Sequence, residues 1–136
     1  MRKIITLITV MPILVFSQTT SIPDFDFEQM LINLGYDTGT PDGSILTSSV
    51  NGITSLDVSS ANIDDLTGIE SFTSLKSLYC NNNQLTSLDL SNNLALTILY
   101  CHNNQLTSLD VSNNMNLSEL ECSSNSISSL DVSNNT

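Results

Sequence analysis

From Leu75 onward the apolar residues of this chain fall into one figure, LxxLxCxxNxL, begun at Leu75, Leu96 and Leu117 at intervals of 21 residues. Cys80, Cys101 and Cys122 keep that interval, as do Asp89, Asp110 and Asp131. A unit of this length cannot bury its own apolar face and must stack on its neighbours, so the period predicts a repeat solenoid. Ile53, Leu56, Val58 and Ile63 begin an earlier, irregular copy 22 residues before Leu75, with Ala61 where the figure has Asn. The coils are read as 53–74, 75–95, 96–116 and 117–136.

Alternation along each coil sets the side-chain directions. In Leu78-Tyr79-Cys80 a strand sends Leu78 and Cys80 inward and Tyr79 outward. Leu75, Leu85, Leu88 and Leu90 complete one core layer per coil. Leu88-Asp89-Leu90 alternates in the same way, which predicts a second strand up the opposite side of the solenoid. The expected fold is mostly β, a parallel-stranded array behind a short helical N-terminal cap.

That cap is placed at residues 18–52, with its ordered part at 22–50 after a polar lead. Phe27, Met30, Leu31 and Leu34 recur at helical spacing, Asp24 or Asp26 is placed to cap the start, and Gly35 stands at the end. The segment from Gly39 to Gly43 is read as a turn, and Ile45, Leu46 and Val50 as an edge leading into the repeats. Before the cap, residues 1–17 combine Arg2 and Lys3 with an apolar run from Ile4 to Phe16 and Ser17 at the cleavage position, the pattern of a signal peptide. The run is short for a membrane span, so an exported chain with no span after cleavage is expected.

The LxxLxCxxNxL register over four coils, Ile22-Pro-Asp-Phe-Asp-Phe-Glu-Gln before it and Leu66-Thr-Gly-Ile-Glu within its first coil together resemble the secreted bacterial leucine-rich repeat proteins, including the internalin-like branch with 21-22 residue repeats. That resemblance implies a curved solenoid, secreted or on the cell surface, that binds proteins or glycans and is not an enzyme. Family members normally carry more coils, and many add a C-terminal cap or sorting domain. Neither stands in these 136 residues, which is the pattern of a fragment of a longer gene product.

Charge narrows the partners. Cleavage after Ser17 leaves Lys76 as the sole Lys or Arg against 14 Asp and Glu, a net charge of −13. Such a surface repels phosphate backbones and anionic lipid, which argues against nucleic-acid and membrane-surface partners.

The candidate chemistry is thin. Three cysteines in one inward column point in parallel, which suits packing better than the dihedral of a disulfide, although one adventitious bridge stays open. Cys101 and His102 face opposite ways and cannot share a metal, and no zinc-type spacing occurs, so no metal site is expected. His102 is the single histidine, and no nucleophile-elbow motif accompanies it, so no catalytic residue is assigned. The columns Asn83, Asn104, Asn125 and Asn93, Asn114, Asn135 are read as amides that satisfy backbone groups left by the turning chain. The Asp89, Asp110, Asp131 column places like charges at strand spacing, solvated by local hydroxyls such as Thr86, Ser91, Thr107 and Ser112 or bridged by calcium.

Comparing the coils isolates a variable strip. The Thr-Ser-Leu-Asp half is nearly constant, whereas the outward positions of the Leu-x-Cys strand change from coil to coil. The candidate ligand-binding residues are Lys76, Tyr79, Asn81, Ile98, Tyr100, His102, Glu119 and Glu121. Rigid aromatic contact area at low entropic cost suits a protein surface or the face of a sugar ring. The alternative is a structural or calcium-stiffened repeat segment of a larger surface adhesin, with the outward tyrosines serving only cross-strand pairing.

Overall fold

The computed structural model describes residues 17–135. Apart from Ser17, the signal-peptide segment lies outside them. Strand β1 (Thr19–Ser21) pairs antiparallel with β2 (Ser44–Leu46), Thr20 opposite Ile45. Helix α1 (Phe25–Asn33) lies between them, and a single helical turn, α2 (Thr47–Val50), leads into the repeats. The residues read as a polar lead are therefore a strand, completed by a hydrogen bond from the Thr47 N–H to the Gln18 carbonyl at 2.9 Å. Nothing in the local composition marks that pairing, which exists only because β2 comes back beside it.

Helix α1 starts at Asp24, whose side chain accepts the Phe27 N–H at 2.8 Å, the usual N-cap bond. It ends at Gly35, with φ +80, where the N–H groups of Gly35 and Tyr36 bond back to the Ile32 and Leu31 carbonyls in a Schellman closure. Phe27 and Leu31 are fully buried and Met30 partly so. Leu34, expected on the same face, is exposed because the helix has already ended there. Glu28 is buried although charged by type. Its two carboxylate oxygens accept the N–H groups of Asp42 and Gly43, each at 2.8 Å, and this pins the turn to the helix.

The array is a four-stranded parallel sheet of β3 (Ser55–Asp57), β4 (Ser77–Tyr79), β5 (Ile98–Tyr100) and β6 (Glu119–Glu121). Leu56, Leu78, Leu99 and Leu120 stand in one register, with Asp57, Tyr79, Tyr100 and Glu121 in the next. Leu75, Leu78, Cys80, Leu85 and Leu90 are all buried, so the core layer forms as the alternation requires. Leu88 is only partly buried. Past each strand a residue in the left-handed region, Ser60, Asn82, Asn103 or Ser124, bends the chain away. Asn is the residue that tolerates this conformation best after Gly.

The first Asn column works as expected. Asn104 donates to the carbonyls of Cys80 and Cys101, each at 3.0 Å, and accepts the Leu85 N–H at 3.0 Å, so one amide joins three pieces of backbone across two coils. Asn83 and Asn125 repeat the pattern. In the second column Asn93 donates to the Ile69 and Phe72 carbonyls and Asn114 to those of Leu90 and Asn93.

The second strand expected at Leu88-Asp89-Leu90 does not form. Leu88 and Leu90 do turn inward and Asp89 outward, yet among the described residues no backbone hydrogen bond joins these segments from coil to coil. The Asp89 side chain accepts the Ser91 N–H at 2.9 Å, and Asp110 and Asp131 do the same to Ser112 and Ser133. These are local side-chain bonds to the backbone two residues on, made within each coil and not between coils.

The irregular first coil is explained by the cap. A 3-10 turn, Ile69–Ser71, begins at Gly68 with φ +105, and a Cβ there would lie 2.3 Å from Ile22 Cδ1 and 2.6 Å from the Ser21 carbonyl oxygen. Phe72 stacks on Phe27 with ring centroids 6.3 Å apart. The cap and the first coil share one core.

Candidate functional site

The outward face of β3 to β6 is built by the register just described. The coil spacing places Tyr79 directly beside Tyr100, and the rings meet edge to face, with centroids 5.2 Å apart and planes at 88°. This is a favoured aromatic geometry. The Tyr100 hydroxyl donates to the Glu119 carboxylate of the next strand. That bond, with the neighbouring negative charge, pushes the Tyr100 phenol above its ordinary value of 10.0. His102 lies past the end of β5, its ring 6.3 Å from that of Tyr100 and its Nδ1 3.7 Å from Glu121 Oε2. That separation is too long for a hydrogen bond.

Five of the eight predicted residues thus form a connected group: Tyr79, Tyr100, His102, Glu119 and Glu121. Ile98 lies half-buried on β5 between Ser77 and Glu119 in the register. Lys76 is exposed just before β4, and among the described residues its side chain makes no ion pair. Asn81 is half-buried past the end of β4, and its carbonyl accepts the Ser60 N–H at 3.0 Å, so its backbone belongs to the ladder. Sequence reasoning had not joined Tyr100 to Glu119 or His102 to Glu121. Both links run diagonally between adjacent strands, and only the in-register pairing of a 21-residue coil brings them together.

On the opposite side, a shallow cleft of about 280 Å³ is lined by Ser87, Leu88, Asp89, Ser108, Asp110 and Asn113. Hydrogen bonds from the backbone N–H and side chain of Ser91 hold Asp89 below its ordinary value, and those of Ser112 and Ser133 act alike on Asp110 and Asp131. Ser91 and Ser112 were expected to solvate these carboxylates through their hydroxyls. The backbone N–H is the first contributor. Among the described residues no three His, Cys, Asp or Glu side chains are grouped to hold a metal ion.

The cysteine column points inward as expected, and the three thiols are free. Cys80 and Cys101 are fully buried, but Cys122 is only partly covered, since no described coil follows it. Burial pushes the Cys80 thiol far up and that of Cys101 to about 12, so neither is a reactive nucleophile.

A parallel ladder of short strands, inward Leu and Cys columns and an Asn column that ties successive coils define a leucine-rich repeat solenoid. No family model and no curated protein matches the chain, but solved structures do. The functional domain of InlJ from Listeria monocytogenes, described as including a cysteine ladder, is 39% identical with a TM-score of 0.79, over 88% of this chain and 27% of that one. An internalin, InlF, from Listeria monocytogenes str. 4b F2365 is 33% identical with a TM-score of 0.70, over 83% of this chain and 33% of that one. This chain is an internalin-like leucine-rich repeat protein. It spans 27% and 33% of the lengths of those two relatives.

Proposed function

We propose that the chain is a secreted or surface-exposed recognition module that binds a protein through the outward face of β3 to β6, and that it is not an enzyme. The observation that carries this reading is the edge-to-face pair of Tyr79 and Tyr100, placed mid-strip where the coils differ most in sequence. Paired aromatics on a rigid sheet present large contact area with few rotamers to freeze, which is the usual composition of binding hot spots. Location outside the cell rests on the signal-peptide pattern of residues 1–17 and on the likeness to internalins. Among the described residues no helix is long and apolar enough to cross a membrane.

The test compares Tyr79→Ala/Tyr100→Ala with Asp89→Asn/Asp110→Asn in binding to cell-surface extracts. Loss of the tyrosines should weaken binding by about 2 kcal/mol or more, whereas the Asp pair on the opposite side should leave it unchanged. Binding that survives the first pair and fails with the second would favour a role for the aspartate column instead.

A further inference from the structure

The chemistry of the partner can be read one step further from the charges around the tyrosine pair, an inference that rests on the reading above. Any surface seated on Tyr79 and Tyr100 also covers Glu119, bonded to the Tyr100 hydroxyl, and Glu121, beside His102. Glu119 and Glu121 are exposed in the free protein and solvated there. Covering two carboxylates with a neutral surface removes their hydration and returns nothing, which opposes binding. A neutral sugar face or an apolar patch would therefore suit the two rings and not the edge of the strip beside them.

The rest of the strip points the same way. Asp57 continues the Tyr79, Tyr100, Glu121 register on the far side, so the aromatic pair is flanked by acid at both ends. Lys76, at the edge of the strip just before β4, is the only Lys or Arg among the described residues, in a protein with 14 Asp and Glu. We infer that the strip recognises an extended, basic protein segment, with an arginine or lysine placed over Tyr100 and paired with Glu119 and Glu121. A guanidinium can lie against the exposed part of the Tyr100 ring while its N–H groups reach the carboxylates. Glu119 spends one oxygen on Tyr100 and keeps the other as an acceptor. An apolar residue of the same segment would rest on Tyr79 and Ile98.

An acidic protein attracts basic peptides anywhere on its surface, so the experiment must separate the site from the bulk charge. A displayed library of short random peptides is selected on the unaltered protein, and the affinity of the best binder is measured by calorimetry on three folded double variants. Selected peptides should be enriched in Arg and Lys. Glu119→Gln/Glu121→Gln should weaken the binder about tenfold or more, and Asp89→Asn/Asp110→Asn, which removes the same charge from the opposite side, by less than about twofold. Equal losses from the two pairs would reduce the effect to net charge and overturn the inference. So would a selection that yields no peptide or shows no basic enrichment. The third variant, Tyr79→Ala/Tyr100→Ala, tells which idea has failed. If it abolishes binding and the Glu pair does nothing, the strip is the site and only its basic specificity is wrong. If it too has no effect, the strip is not the site at all.

Discussion

The carboxylate of Asp24 accepts the backbone N–H of Asp64 at 2.9 Å, a contact between residues 40 apart in the chain. Its oxygens also take the N–H groups of Asp65 at 3.0 Å and of Phe27 at 2.8 Å, so one side chain caps helix α1 and fastens the cap to the first coil. Asp24→Ala leaves three N–H groups without their acceptor and should cost about 1–2 kcal/mol in a urea titration. Burial raises the pKa of Asp24, but the three backbone hydrogen bonds outweigh it and hold the group below its ordinary 3.8. A depressed carboxylate contributes stability that is present above its ordinary value and is lost as the pH falls through the lowered one. Asp64, exposed and raised by the hydrogen bond and charge of Asp24, takes up a proton first and can keep that bond as donor. The stability gap between the unaltered protein and Asp24→Ala should therefore widen slightly as Asp64 takes up its proton on the way down from neutral pH, and close below about pH 4 as Asp24 is protonated. A gap that does not change with pH would show that the carboxylate charge contributes nothing.

At Gly68 the first coil lies close against the cap. Gly68→Ala must accommodate both φ +105 and a Cβ within 2.6 Å of the Ser21 backbone oxygen, and should lower stability by about 3 kcal/mol or more. Gly43→Ala, with φ +87 but open space around it, should lose only about 1 kcal/mol. Similar losses at the two sites would mean that the cap gives way freely.

Asn104→Ala should cost about 1–3 kcal/mol, because the Leu85 N–H loses its acceptor away from water, while the Cys80 and Cys101 carbonyls keep the amides of Asn83 and Asn125 as donors. Asn104→Asp keeps the acceptor but removes both donors, and is expected to be at least as damaging. Thermal unfolding followed by circular dichroism measures both.

Ser124 holds φ +55 where the two coils immediately before it use Asn82 and Asn103. Ser124→Asn should raise stability by up to about 1 kcal/mol, since Asn enters the left-handed region more readily. A decrease would mean that the serine makes a contact the fold needs.

Native alkylation should modify Cys122 first, and Cys80 and Cys101 only on unfolding. The column was expected to be buried throughout, but Cys122 is only partly covered, whereas the other two thiols are buried and raised. Mass spectrometry of the labelled peptides reads the order, and early labelling of Cys80 would contradict the strand phase.

The repeat period, the inward Leu and Cys columns, the Asn column and the outward strip were all legible in the sequence. Each follows from a periodicity that stacking must satisfy: a residue that recurs every 21 positions takes the same place in every coil, so Leu78 and Leu99 share a fate without knowledge of the fold. Helix α1 was legible for the same kind of reason, since a cap, an apolar spacing and a closing glycine are local signals. Tertiary structure decided what no local signal carries. Thr19–Ser21 became a strand because β2 returns beside it. Glu28 could be buried because the Asp42 and Gly43 N–H groups reach it from the turn. Leu88-Asp89-Leu90 kept its alternation but formed no strand, and its Asp89 side chain instead accepts the Ser91 N–H. The same division holds at the strip: sequence alone named Tyr100, His102, Glu119 and Glu121, but their pairing depends on diagonal distances between neighbouring strands, which exist only once the coils are stacked.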